Sequence, residues 1–307
     1  TQELVRYQTI NPPGEEKACA EFLGKMLEDG GFKVSYYEFD SDRTSLIAEI
    51  AGSDGRPPLC FTGHLDVVPL GAAEWSCEPF AADISEGKLW GRGSTDMKSG
   101  VAAFVLAALR SAKDPNRKYG IKLLITAGEE IALEGAIYLA GLPNVVGDGG
   151  ALVVAEPTSN RPLIGHKGVL WINASTAGKT AHGSMPHEGV NAITKAAHAI
   201  VALEDIEFGA EHPVLGKTSL NIGTIEGGLN VNSVPDRASF TLDIRTIPEQ
   251  PSRLIQDMLR QRLADDVNLE VIQDIGSVST PESNEWIQDI YEICADVSGE
   301  NPVTGSA

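Results

Sequence analysis

The chain has 307 residues, 42% of them apolar, enough for two domains with a sizeable core. Its 43 acidic residues against 24 basic ones leave a net charge of −19, a surface that repels phosphate backbones and excludes nucleic acid or an anionic membrane as partner. No run of about 18 apolar residues is present to span a bilayer, the start at Thr1 has no signal-peptide pattern, and the four cysteines have no paired spacing, as in reduced cytoplasmic proteins.

Helical spacing of Phe22, Leu23, Met26 and Leu27 predicts a helix over 19–27, closed by Gly30 and Gly31. Segments 32–39 and 45–50 read as strands, and the apolar run Leu59, Cys60, Phe61 reads as a buried strand ending at Gly63 and His64. A helix over 99–112, a β-branched strand over 121–126, a helix over 131–139 and a strand over 151–154 follow. This alternation predicts an α/β domain with a mainly parallel sheet and helices on both faces. Beyond Gly168 the pattern changes to strand 169–176, helix 191–203, strands 218–225 and 238–246, helix 253–264 and strand 268–273. That is the split βαβ order of a ferredoxin-like α+β domain. A helix over 284–297 completes the elements. The expected division is therefore 1–168, an inserted domain at 169–280, and a return to the first domain at 281–307.

Several polar residues fall at strand ends. His64 and Asp66 lie two apart in an extended segment, which puts both side chains on one side. Imidazole is a good zinc ligand, and a neighbouring carboxylate can fix its tautomer. Asp96 and the pair Glu129-Glu130 follow Gly-rich or strand-like runs, so acids gather where open α/β sheets place their ligands. Each residue also has an ordinary reading. His64 can be a turn residue, Asp96 a helix cap, Glu129-Glu130 a solvated helix start, and Glu156 a turn residue before Pro157. All four ordinary readings together require several coincidences. A dinucleotide fingerprint is excluded, because Gly91-Arg92-Gly93 is followed by Asp96 rather than glycine.

Six stretches carry a family resemblance: Gly63-His-Leu-Asp-Val-Val-Pro69, Leu89-Trp-Gly-Arg-Gly-Ser-Thr-Asp-Met-Lys98, Gly128-Glu-Glu130, Glu156-Pro-Thr158, Ala181-His-Gly183 and Leu242-Asp-Ile-Arg245. In this order the chain resembles the dinuclear zinc amidohydrolase and peptidase family of acetylornithine deacetylase, succinyl-diaminopimelate desuccinylase and glutamate carboxypeptidase. The resemblance implies two zinc ions, with cobalt or manganese as substitutes. It makes His64 and Glu156 ligands of the first metal, Glu130 a ligand of the second and Asp96 the bridge between them. Asp66 would orient His64, and Glu129 would be the general base. His182 would stabilise the oxyanion in a neighbouring subunit's site, the alternative being a surface histidine. Arg245 would clamp the substrate α-carboxylate, the alternative being a pair with Asp243 or Glu249. Asn232, in a Gly-Gly loop like the family's, would contact substrate.

His166-Lys167 stands where family desuccinylases tend to carry Arg-Arg, which makes His166 a substrate-side residue and leans towards a deacetylase-like enzyme. The implied substrate is a small N-acyl amino acid or peptide, the implied assembly a homodimer, and the inserted 169–280 segment the lid and dimerisation domain. Dipeptidase or carboxypeptidase activity, or a non-catalytic metal-binding homologue, are the alternatives. The family's last metal ligand is a histidine near the C-terminus, yet no histidine follows His212, so the chain is expected to be truncated before that segment.

Overall fold

The computed structural model describes residues 1–299 and 305 and divides into two compact units, Thr1–Ser159 and Asn160–Ala307. In the first unit, helices α1 (Gln2–Arg6) and α2 (Lys17–Asp29) precede an antiparallel hairpin of β1 (Lys33–Asp40) and β2 (Arg43–Ile50). Then come β3 (Leu59–His64), a small hairpin of β4 (Ile84–Ser85) and β5 (Lys88–Leu89), α3 (Lys98–Ala112), β6 (Ile121–Thr126), α4 (Glu134–Gly141) and β7 (Ala151–Val154).

The main sheet has the order β1-β2-β6-β3-β7. It is parallel across β6, β3 and β7 and antiparallel where the β1–β2 hairpin joins β6. Alternation along β2 explains how both of its faces are covered. Leu46 and Ala48 join Leu23, Leu27, Val101, Phe104, Leu123 and Ile125 in one core with α2 and α3. Ser45 points the other way, towards Gly135 of α4, where an added Cβ would sit 2.8 Å from its hydroxyl. Each fully buried leucine or isoleucine in that core contributes roughly 1.5–3 kcal/mol.

The second unit holds β8 (Gly165–His166), β9 (Gly168–Ala177), α5 (Ala192–Glu204), β10 (Glu211–His212), β11 (Gly216–Lys217), β12 (Ser219–Gly227), β13 (Arg237–Thr246), α6 (Ser252–Arg262), β14 (Val267–Ile275), β15 (Val278–Ser279) and α7 (Glu285–Ser298). Its main sheet, β12-β13-β9-β14, is antiparallel at every pairing, the ferredoxin-like arrangement. Leu170, Ile172 and Ala174 of β9 and Phe240, Leu242 and Ile244 of β13 alternate inwards against Ala192, Ala196 and Leu203 of α5 and Ile255 and Leu259 of α6. Period-two burial on the strands meets period-3.6 burial on the helices, so one face of the sheet is the core. Asn191 caps α5 by accepting a hydrogen bond from the Thr194 N–H at 3.0 Å.

The chain enters and leaves this sheet side by side. His166 pairs with Val278 and Gly165 with Ser279, and the Thr280 N–H donates to the Ile164 carbonyl at 2.8 Å. Residues 300–304, 306 and 307 of the 281–307 segment lie outside the described residues.

Candidate active site

Three parallel strands deliver the acids and His64 to one end of the sheet. His64 is the last residue of β3 and stands opposite Thr126, the last residue of β6. β7 runs parallel on the other side of β3 and ends at Val154, two residues before Glu156. This carboxyl end of parallel strands is where the fold class places ligands. Asp96 arrives from the loop ahead of α3, whose start packs against the end of β7: an added Cβ on Gly100 would lie 2.1 Å from the Ala155 carbonyl. Asp96 does not cap α3; Met97 holds the cap position, without a side-chain capping bond. The fully buried Met97 lies under His64, with its sulfur 3.2 Å from the His64 backbone nitrogen.

The imidazole of His64 is 2% exposed. Its Nδ1 lies 2.9 Å from the Asp66 carbonyl oxygen and 3.4 Å from the Asp66 carboxylate. A donor at Nδ1 leaves Nε2 to face the acids. That nitrogen is 3.3 Å from Asp96 Oδ1, 3.6 Å from Glu156 Oε1 and 3.9 Å from Glu129 Oε2. One donor atom each from His64, Asp96 and Glu156 falls within a 4.8 Å span, a set able to hold a metal ion. The Glu130 carboxylate stands outside that trio but within reach of its field, for His64, Asp96 and Glu129 all act on its charge.

Asp66 does more than face the histidine. Fully buried, it accepts from Asn11 Nδ2 at 2.8 Å and from the backbone N–H groups of Glu129 and Glu130 at 3.0 Å each. It therefore holds the turn that carries both glutamates. Burial would raise its pKa, but the bonds from His64, Asn11 and Glu129 N–H win and hold it below the usual carboxylate range.

The opposite balance governs its neighbours. Burial alone would lower the His64 pKa; the hydrogen bond and charge of Asp66, then Glu129 and Glu156, raise it to about 9. Burial pushes the Glu156 carboxyl up to about 7, helped by Asp96, Glu129 and Glu130 and opposed by His64. Burial also raises Glu129, with Asp66 and Asp96 adding to the shift against His64. Carboxylates crowded this closely repel one another, and the site fits a group of positive charge. The donor set of one imidazole nitrogen and several carboxylates suits a divalent metal such as zinc.

The remaining residues expected from sequence lie in the second unit, on its surface. His182 is exposed, with Nδ1 2.8 Å from Ser184 Oγ and accepting the Ser184 N–H at 3.2 Å. An accepting Nδ1 leaves the proton on Nε2. The Asn232 carbonyl accepts the Gly183 N–H at 2.8 Å, so backbone pairing brings Asn232 and His182 together. Arg245 pairs with Asp243 on its own strand, Nε to Oδ1 at 3.0 Å and Nη2 to Oδ2 at 3.0 Å. His166 is exposed on β8, with Nδ1 3.0 Å from the Lys167 carbonyl.

Sequence reasoning passed over Asn11, Glu16 and Arg43. Asn11 and Glu16 flank a Pro-Pro-Gly turn ahead of α2, which signals a turn but not that both side chains face inwards. Their partners are 55 and 112 residues away, beyond the reach of local spacing.

Known proteins resemble the chain in sequence and fold. The model of a peptidase dimerisation domain matches residues 164–268, and that of peptidase family M28 matches residues 45–147. The probable succinyl-diaminopimelate desuccinylase of Staphylococcus epidermidis is 32% identical, over 99% of this chain and 82% of its own length. Acetylornithine deacetylase of Proteus mirabilis is 31% identical, over 81% of this chain and 65% of its own. Among solved structures, an M20 family metallo-carboxypeptidase from Sulfolobus solfataricus has a TM-score of 0.78 at 19% identity, covering 99% of this chain and 84% of that one.

Proposed function

Because the chain belongs to the M20 metallopeptidase family, we propose that it hydrolyses the amide bond of a small N-acyl amino acid or peptide with a divalent metal. The observation that carries this reading is the convergence of His64 Nε2 with the Asp96 and Glu156 carboxylates at one sheet end, with Glu129 3.9 Å from the same nitrogen. A non-catalytic metal protein has no use for an unengaged carboxylate beside the ligands. Dipeptidase and carboxypeptidase are the related activities from which a substrate panel must separate it.

In this reading His64, Asp96 and Glu156 would hold one zinc ion, and Glu130 together with Asp96 would hold a second. When bound, the cations supply positive charge that acidifies water and polarises the scissile carbonyl. Glu129 takes a proton from the attacking water as its oxygen joins the carbonyl carbon. The carbon–nitrogen bond then breaks, the leaving nitrogen receives that proton from Glu129, and a carboxylate and an amine leave. Asp66 keeps the His64 ring turned through Nδ1 and anchors the Glu129-Glu130 backbone. His182, with its proton on Nε2, donates to the developing oxyanion of a partner subunit's substrate. Arg245 exchanges Asp243 for the substrate carboxylate, and Asn232 and His166 contact the rest of the substrate.

We assign 1–168 and 281–307 to the catalytic domain and 169–280 to the lid and dimerisation domain. The side-by-side entry and exit at Gly165–His166 and Val278–Ser279 support an insertion, and the match to a peptidase dimerisation domain supports a homodimer. Four free cysteines suit a cytoplasmic setting. No helix among the described residues is long and apolar enough to cross a membrane.

The relatives' names offer a succinyl and an acetyl substrate, and His166-Lys167 leans towards the acetyl one. The test is a panel of N-acetyl and N-succinyl amino acids and dipeptides, assayed with metal-stripped protein before and after zinc is restored. Zinc-dependent turnover of an N-acyl amino acid supports the reading; turnover that does not depend on metal contradicts it.

A further inference from the structure

The turn that carries Glu129 and Glu130 has an unusual hydrogen-bond pattern. Four successive backbone N–H groups each donate to a side chain. Ala127 donates to Ser45 Oγ at 3.0 Å, Gly128 to Glu16 Oε1 at 3.2 Å, and Glu129 and Glu130 to Asp66 at 3.0 Å each. Asp66 belongs to the site already described. Glu16 does not: it lies just ahead of α2 and is fully buried.

Arg43 completes the arrangement. Its Nε donates to Glu16 Oε2 at 2.9 Å and lies 3.3 Å from Oε1, and its Nη2 is 3.4 Å from Glu134. Gly128 sits at φ +70°, and a Cβ there would lie 2.7 Å from Arg43 Nη2. The guanidinium therefore lies against the turn, and glycine is required there by both conformation and space.

We propose that Glu16, neutralised by Arg43, is a positioning residue that fixes the main chain at Gly128 and thereby aims the Glu129 carboxylate. The proposal rests on reading Glu129 as the general base. Asp66 pins the turn at residues 129 and 130, and Glu16 pins it one residue earlier. With both anchors the carboxylate direction is fixed before substrate arrives. Without Glu16 the Gly128 N–H loses its acceptor, and the turn relaxes between Ser45 at residue 127 and Asp66 at residues 129 and 130. Displacement of a reacting group by about 1 Å costs up to about 100-fold in rate.

The two oxygens of Glu16 both face donors, which makes Glu16→Gln informative. An amide oxygen can serve either Gly128 or Arg43, and its NH₂ then confronts the other donor. Adding Arg43→Met removes that conflict and frees the amide oxygen for Gly128.

The experiment measures kcat, KM and metal content for Glu16→Gln, for Glu16→Gln with Arg43→Met, and for each with Glu129→Gln, in the full chain. Glu16→Gln is expected to lower kcat about 10–100-fold with KM and metal content within about twofold. The added Arg43→Met should restore most of kcat. In the Glu129→Gln background Glu16→Gln should make no further difference, because the group being aimed is gone. Unchanged kcat in metal-loaded Glu16→Gln overturns the proposal, as does the same fold-loss with and without Glu129. Should Glu16→Gln fail to fold, an inactive but folded and metal-loaded double variant overturns it equally. High activity in Glu129→Gln alone instead removes the reading of Glu129 as base, a separate failure.

Discussion

The candidate residues at the heart of the first unit, His64 and Asp66, are held by buried hydrogen bonds; those of the second unit stand in solvent. His64 and Asp66 are buried at 2% and 0% exposure, and Asp66 accepts from a side-chain amide and two backbone N–H groups. His182, Asn232 and Arg245 are exposed, and Arg245 pairs with the neighbouring Asp243. The sheets differ in the same sense. Parallel strands bring loops together at one end, whereas the antiparallel sheet spreads its side chains over a face. A crowded charge cluster built round a buried histidine suits bond-breaking, and an exposed set suits recognition of what comes from outside. Removing a locked group should therefore reduce kcat, and removing an exposed one should alter kcat/KM selectively.

The largest effect is expected from Glu129→Gln. It should lower kcat by roughly 100–10,000-fold, the range for a positioned general base, with metal content unchanged by elemental analysis. Glu130→Ala should instead lose metal. Equal metal loss in both variants would erase the distinction between base and ligand.

Arg245→Ala comes next. Loss of a charge-assisted contact worth about 1.5–3 kcal/mol should lower kcat/KM by roughly 10–150-fold for an N-acyl amino acid. The loss should be small for the corresponding amide. If the variant keeps the parent's preference for the acid, the Asp243 pair is the residue's whole role and the second unit's part in recognition shrinks.

Much of this comparison was legible in the sequence because periodicity is local. The strands at 121–126 and 151–154 stand where the apolar runs placed them. The helix expected from residue 131 begins at Glu134 instead. The three residues just before it, 128–130, are held by Glu16 and Asp66, and Ala132 and Leu133 adopt left-handed conformations at φ 59° and 57°, so the chain turns before it coils. The antiparallel join of the β1–β2 hairpin to β6 was not readable, since pairing direction depends on partners about 75 residues apart. The same holds for the site. Motif strings named His64, Asp96 and Glu156, but Asn11, Glu16 and Arg43 act across long sequence separations and have no local signature.

The smallest effect is a proton count. With His64 at about 9 and Glu156 at about 7, the metal-free site holds protons near neutrality that a metal must displace. Zinc binding at pH 7 should release about one to two protons per site, falling towards none above pH ~9.5, as read by calorimetry in buffers of different ionisation enthalpy. No release at pH 7 would mean that the metal binds away from His64 and Glu156.

The end of the parallel strands is the expected metal centre. Anomalous diffraction from crystals grown with zinc tests it most directly. The expected result is a peak about 2.0–2.2 Å from His64 Nε2 and from oxygens of Asp96 and Glu156. A peak elsewhere, with those three side chains left unliganded, would contradict it.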